Sequence, residues 1–151
     1  MPRGPKVEKR PSYAIVARIV TGEIEDITTE GKNAAAVALH RDLLTLRRSD
    51  PVFAAQKPHH LDGAVLADEC FVLRFFGESG DDRLLIVNYG RDVKPSCLAE
   101  PLIAPPAARE WHLAWSSEDQ KYGGSGAVPF ERKEGLYILG HSACVLAAQS
   151  G

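Results

Sequence analysis

Cys70-Phe71-Val72-Leu73-Arg74-Phe75-Phe76, then Gly77-Glu78-Ser79-Gly80-Asp81-Asp82, then Arg83-Leu84-Leu85-Ile86-Val87-Asn88-Tyr89 read as strand, loop and returning strand. Side chains of a strand alternate between two faces, so Phe71, Leu73 and Phe75 share one side of the first arm. The loop between the arms is built of glycine, serine and acidic residues, the types that turn a chain. This hairpin sets the class of the fold. Working outward, Gly63 to Leu66 reads as a short strand before it, and Leu98 to Leu102 as an edge strand that stops near Pro105-Pro106. Trp111 to Trp115 is a further strand, on which Trp111, Leu113 and Trp115 are expected to lie on one side. Leu136 to Leu139 and Ser142 to Ala147 are the last two, with Gly140-His141 between them. Short strands separated by turns at this spacing predict an antiparallel β-sandwich.

One segment ahead of the strands has a different period. Ala36, Leu39, Leu43 and Leu46 recur at intervals of three and four, the stripe of an amphipathic helix. Asn33 is the expected N-cap, Arg47 and Arg48 suit the negative end of the helix dipole, and Ser49-Asp50-Pro51 ends it, because a residue before proline disfavours helical geometry. The helix is assigned to residues 33–50 and the β domain to 51–151. Residues 1–12, rich in proline and charge, read as a disordered tail. Residues 13–32 have no firm assignment. Tyr13 to Val20 and Ile24 to Thr28 can form a hairpin through Thr21-Gly22-Glu23, and a helix through Ile15 and Ile19 competes with it.

Composition narrows the function. The chain has 151 residues, 44% hydrophobic and 25% charged, with formal net charge −2. That balance gives no basic field for nucleic acid. No apolar run approaches the ~20 residues that span a bilayer, and no secretory leader precedes the first strand, so a cytoplasmic protein without membrane contact is expected. Cys70, Cys97 and Cys144 lack metal-ligand spacing and read as free thiols.

The strings Leu39-His40-Arg41-Asp42-Leu43-Leu44-Thr45-Leu46-Arg47-Arg48-Ser49-Asp50-Pro51-Val52-Phe53, Asp62-Gly63-Ala64-Val65-Leu66, Phe71 to Phe76, Arg83 to Asp92, Trp115-Ser116-Ser117-Glu118 and Tyr122-Gly123-Gly124 occur in an order of their own. From about Ala38 to Ala148 the chain resembles malto-oligosyltrehalose trehalohydrolase, a branch of the α-amylase superfamily of glycoside hydrolases. The resemblance implies that the helix corresponds to the last helix of a catalytic barrel and that the strands form the C-terminal β-domain. It implies a setting in trehalose and α-glucan metabolism. Hydrolysis in that superfamily needs a carboxylate nucleophile and a protonated carboxylic acid about 5–5.5 Å apart, set at the ends of barrel strands upstream of this helix. The resemblance covers none of those strands, so the expectation is a truncated, non-catalytic accessory domain with no catalytic residue. Residues 1–32 do not match the barrel strand and loop expected upstream.

Other constellations carry less. His40-Arg41-Asp42 spells the kinase catalytic triplet, but the glycine-rich loop and Asp-Phe-Gly that the chemistry needs are missing, and the triplet lies in a helix. His59-His60 precedes Asp62, yet neighbours in an extended segment point apart and do not share a metal easily. His112, Ser116, Ser117 and Asp119 supply the residue types of a hydrolase triad without a nucleophile elbow. No cofactor motif and no metal site are expected. Trp115, Glu118 and Tyr122 are the candidate carbohydrate-binding residues. An aromatic face can stack on the apolar C–H face of a pyranose, and a polar corner can bond its hydroxyls. The competing reading makes the tryptophans core anchors and Gly123-Gly124-Ser125-Gly126 a plain turn.

The stripe of the helix raises the question of partners. Leaving it in water costs roughly 1.5–3 kcal/mol for each large side chain. The expected cover is the Tyr13–Thr28 segment, the β-domain itself, a second copy of the chain in a homodimer, or a separately encoded barrel fragment. An α-glucan is the expected small ligand.

Overall fold

The structure, a computed structural model, describes residues 32–94, 100–127, 131–132 and 135–151. The expected tail and N-terminal hairpin lie outside these residues. Helix α1 (Lys32–Ser49) carries the predicted stripe on its half-buried side. It begins at Lys32, one residue ahead of Asn33. Asp50 ends α1 and starts a second, short helix α2 (Pro51–Ala55). Its Oδ1 accepts the backbone N–H groups of Val52 (2.9 Å) and Phe53 (3.2 Å). Proline at the first helical position suits this junction, since its missing N–H is not needed there.

Among the described residues seven strands follow: β1 (Leu61–Ala67), β2 (Cys70–Phe75), β3 (Arg83–Asn88), β4 (Arg109–Ser116), β5 (Glu131–Arg132), β6 (Gly135–Leu136) and β7 (Ser142–Ser150). Five of them make one antiparallel sheet in the order β1-β2-β3-β7-β4, and β5 pairs with β6. The class is the one expected, mostly antiparallel β of the sandwich type with a long helix ahead of it. The quoted hairpin pairs Phe71 with Val87, Leu73 with Leu85 and Phe75 with Arg83.

The sheet has two unlike faces. On one, Val72, Leu84, Ile86, Cys144, Leu146 and Ala148 are buried under Ile138 and the half-buried Val93, Leu102 and Ile103. Burying each of the larger side chains contributes about 1.5–3 kcal/mol. Burial also pushes the Cys144 thiol up to about 12 and raises the Cys70 thiol, so both are held in the inert neutral form. The opposite face carries the helices. Phe53 of α2 meets Phe75 of β2 edge to face at 4.9 Å. Beyond the helices this face stays open. Val65 is 77% exposed, Tyr89 is 66% exposed, and Phe71 and Val87 are half-buried beside them.

Three expectations need correction. Residues 98–99 of the proposed edge strand lie outside the described residues, and the remainder runs from Glu100 into a 3-10 turn at Pro101–Ile103. The Glu100 side chain caps that turn by accepting the Leu102 N–H at 3.0 Å. The strand expected over Leu136 to Leu139 is the short β6, after which Ile138 makes an isolated bridge to Val93. The third concerns the tryptophans. Trp111 pairs with Ala148 and Leu113 with Leu146, but Trp115 pairs with Val145, the next residue along, because β4 bulges between Leu113 and Trp115. One extra residue reverses the alternation. Trp111 therefore enters the buried core, and Trp115 turns to the helix side.

Candidate functional site

The residues singled out for sugar binding sit where β4 leaves the sheet beneath α1. The corner after Ser116 is tightly stitched. Asp119 caps the 3-10 turn Gln120–Tyr122 by accepting the Lys121 N–H at 3.0 Å. Gly123 then takes a left-handed conformation (φ 80°), which glycine adopts without steric cost. At Gly124 a side chain would run into the backbone of Glu118, so only glycine fits. Glu118 Oε2 accepts both the N–H (3.1 Å) and the hydroxyl (2.6 Å) of Ser125 and holds the loop against the strand end.

Above this loop lies a clasp between helix and sheet. Trp115 Nε1 donates to Tyr122 Oη (3.2 Å), and Tyr122 Oη donates to Asp42 Oδ2 of α1 (2.6 Å). Lys121 Nζ pairs with the same carboxylate oxygen at 2.9 Å and lies 4.8 Å from the centre of the Tyr122 ring. The Tyr122 and Lys121 hydrogen bonds hold the Asp42 carboxyl below its ordinary 3.8, and Asp42 raises Lys121 in return. Desolvation, followed by the Asp42 carboxylate, raises the Tyr122 phenol. A second anchor sits at the C-terminal end of α1. Arg83 Nε donates to Asp50 Oδ2 (2.7 Å), and Arg83 Nη1 donates to Asp81 Oδ1 (2.6 Å). Asp50 thus joins α2 to the sheet with one carboxylate oxygen and caps it with the other.

Of the three candidates, Trp115 and Glu118 line an open groove of about 530 Å³ together with Leu113, Ala114 and Asp119. Tyr122 does not line it, and its hydroxyl is engaged on both sides within the clasp. The Trp115 and Tyr122 rings lie 6.1 Å apart and inclined by 39°. Asp42 and Lys121 complete the arrangement, and periodicity could not single them out. Their only signal was an acidic residue on a polar helix face and a lysine beside Tyr122.

The triad residue types are not brought into a relay. Ser116 Oγ accepts the Glu118 N–H (3.1 Å), and Ser117 Oγ accepts the Ala143 N–H (3.0 Å). His40 Nδ1 lies 2.8 Å from the Ala36 carbonyl of its own helix, and His60 Nδ1 lies 3.3 Å from the Phe76 carbonyl. Among the described residues no group of three or more His, Cys, Asp or Glu is arranged to hold a metal. None of the described helices is long and apolar enough to cross a membrane.

The clasp has a pH signature. Tyr122→Phe keeps the ring and removes the hydroxyl, and is expected to cost about 1 kcal/mol at pH 7. Asp42 titrates lower in the folded chain than in the unfolded one, so its contribution is full above 3.8 and is lost as pH falls through the depressed folded value. The gap between the parent and Tyr122→Phe in urea unfolding therefore narrows as pH falls below 3.8. A gap that stays constant down to the acid transition would mean that the carboxylate does not hold the clasp.

The family described as Domain of unknown function (DUF3459) matches residues 58–145, more than half of the chain. The match begins just ahead of β1 and ends inside β7, so it takes in the whole β1-β2-β3 meander and β4 but neither helix. Domains of this kind stand at the C-terminus of α-amylase-family glycoside hydrolases, as accessory parts. No curated protein matches the chain.

Proposed function

The chain belongs to the DUF3459 family, an α-amylase-type C-terminal domain, and from that premise we propose that it serves as the accessory domain of a trehalose-releasing α-glucan hydrolase and has no hydrolytic activity alone. Its role on this reading is mechanical. It holds α1 in a fixed pose and offers a face on which a catalytic barrel sits. The observation that carries the reading is the double anchorage of α1, through Asp42 to Tyr122 and Lys121 and through Asp50 to Arg83. A helix held to a β-domain near its middle and again at its C-terminal end is a helix that the domain positions. Among the described residues there is no ring of parallel strands to carry a nucleophile and an acid, and the trehalohydrolase assignment rests on the sequence strings given above.

The helix side of the sheet, open toward the β1 edge away from the clasp, supports a docked partner. Leu44 of α1 is 50% exposed, and Val65 and Tyr89 lie open on the same side of the sheet as the helices. A monomer rarely leaves such groups uncovered without use. The proposed cover is a barrel of the α-amylase type, in the same polypeptide or separately encoded, in the cytoplasm. A homodimer is the competing outcome. The test mixes this chain with a trehalohydrolase barrel lacking its own C-terminal domain. Co-elution on size exclusion, a higher melting temperature of the barrel, and no trehalose from malto-oligosyltrehalose with this chain alone are expected. Trehalose released by this chain alone would overturn the reading, and a dimer that excludes the barrel would replace the partner.

A second reading, a free-standing α-glucan-binding module, is favoured by the groove that Trp115 and Glu118 share. Calorimetry with maltotriose and maltohexaose tests it. Heat that disappears in Trp115→Ala supports it, and heat unaffected by that change removes it.

A further inference from the structure

β1 stands at one end of the five-stranded sheet, and among the described residues no strand lies beyond it. Its pairing with β2 fixes which way its backbone points. The Phe76 N–H donates to the His60 carbonyl at 2.9 Å, so these two residues form a hydrogen-bonded pair. Such pairs recur at every second residue of an antiparallel ladder, and Asp62 and Ala64 therefore bond to β2. Leu61, Gly63 and Val65 turn their N–H and C=O groups outward. Over this stretch the register is regular, and the strand bulges only after Val65.

An open edge invites another strand, and folded proteins blunt such edges with lysine, proline or a bulge. Leu61 to Val65 has none of these, and Asp62 is its one charged residue. Asp62 Oδ1 accepts the Gly63 N–H at 2.8 Å. The middle donor of the edge is thus taken by the neighbouring carboxylate. Gly63 itself presents no side chain. A Cβ there would lie 2.8 Å from Leu73 Cδ2, so Leu73 fills the space above it. On either side of Gly63, Leu61 is 50% exposed and Val65 is 77% exposed.

We infer that this edge is a strand-pairing surface for a second copy of the chain, and that Asp62 holds it closed. The order of the residues selects the occupant. Two copies of β1, run antiparallel about a two-fold axis beside Gly63, set Gly63 against Gly63 and Leu61 of each copy against Val65 of the other. Every outward residue then meets an outward residue and exchanges both its hydrogen bonds with it. The same pairing covers Leu61 and Val65. Asp62 works against it in two ways. Its carboxylate must release the Gly63 N–H before the central pair can form. The two Asp62 side chains would also stand diagonally across the pair, roughly 7–8 Å apart, where like charges still repel. The inference goes beyond the accessory-domain reading, because the edge points sideways out of the sheet whereas the proposed barrel surface is its helix side.

The test is light scattering of the full chain over a wide range of concentration, with amide exchange of the same samples. The parent is expected to have the mass of one copy. Asp62→Ala, at an exposed side chain, is expected to raise the mass about two-fold with concentration, and to slow exchange at Leu61, Gly63 and Val65 about ten-fold. Asp62→Asn keeps an oxygen acceptor without the charge and is expected to associate less. Adding Val65→Lys to Asp62→Ala is expected to restore the single-copy mass. An Asp62→Ala chain that stays single overturns the inference, as does a dimer that leaves exchange in β1 unchanged or survives Val65→Lys. Open-ended aggregation in place of a closed dimer overturns the two-fold pairing. A parent already paired through β1, or equal association of the Asn and Ala variants, overturns the role of the Asp62 hydrogen bond. Barrel co-elution uses the parent chain, so that result stands or falls separately.

Discussion

Asp82→Ala is expected to remove about 3–5 kcal/mol of folding stability, the largest loss of any single side-chain truncation at a polar position here. Arg74 and Asp82 are both buried, at 8% and 4% exposure. Asp82 Oδ2 accepts from Arg74 Nε (3.0 Å) and Nη2 (2.8 Å), and its Oδ1 accepts the Gly77 N–H at 3.0 Å. Arg74 Nη1 donates to the Leu102 and Ala104 carbonyls (3.0 and 2.8 Å). Trp111 covers the guanidinium with its ring centre 5.4 Å away. Removing the carboxylate leaves a cation without its counter-charge in a site with little access to water, and frees the loop that Gly77 opens. Folded domains are stable by only about 5–15 kcal/mol, so the variant is near the limit of folding. Urea unfolding at pH 7 measures the loss. The double change Arg74→Met with Asp82→Leu separates pairing from packing, since a buried ion pair replaced by apolar groups is often neutral. Recovery of most of the lost stability is expected. A loss under about 1 kcal/mol in Asp82→Ala itself would refute the buried-pair account.

The second large effect divides the two tryptophans. Trp111→Ala is expected to cost about 3–5 kcal/mol, the range for truncating a buried aromatic. Trp111 is only 6% exposed, donates from Nε1 to the Ile103 carbonyl at 2.9 Å, and lies against Arg74. Trp115→Ala is expected to cost about 1–2 kcal/mol, because its ring is half-buried and its single hydrogen bond goes to a side chain at the clasp. Denaturant midpoints of the two variants give the contrast. Equal losses would mean that both rings belong to one core, as unbroken alternation along the strand would have placed them.

These two cases show how far residues alone reached. The α1 stripe at Ala36, Leu39, Leu43 and Leu46 and the break at Asp50-Pro51 were legible because each obeys a local rule, period in one and proline geometry in the other. The hairpin arms from Cys70 and Arg83 were legible for the same reason. The position of Trp115 was not, because a bulge leaves no mark on the pattern of apolar letters and emerges only when β7 supplies the register. Nor was the turn at Pro101–Ile103, where a strand was expected, because apolar content alone does not reveal that Glu100 caps a turn opened by Pro101. The ion pairs were hidden more deeply. Arg74 and Asp82 stand at the two ends of a loop, and Asp50 and Arg83 are 33 residues apart. At the proposed sugar site, Trp115 and Glu118 were placed together by nearness along the chain. A hollow between α2 and the β2–β3 loop gathers Phe53, Leu61 and Phe75 from three elements, which only the folded sheet brings into one place.

Ala114 has a consequence for anyone editing this gene. Its side chain touches little, and most replacements there should pass unnoticed. Its presence as a unit of length is another matter. Delete it, and Trp115 swings through to the opposite layer, parting from Tyr122 and robbing the clasp on α1 of its indole support. Along this strand the odd or even tally of residues carries the message, and spelling is secondary.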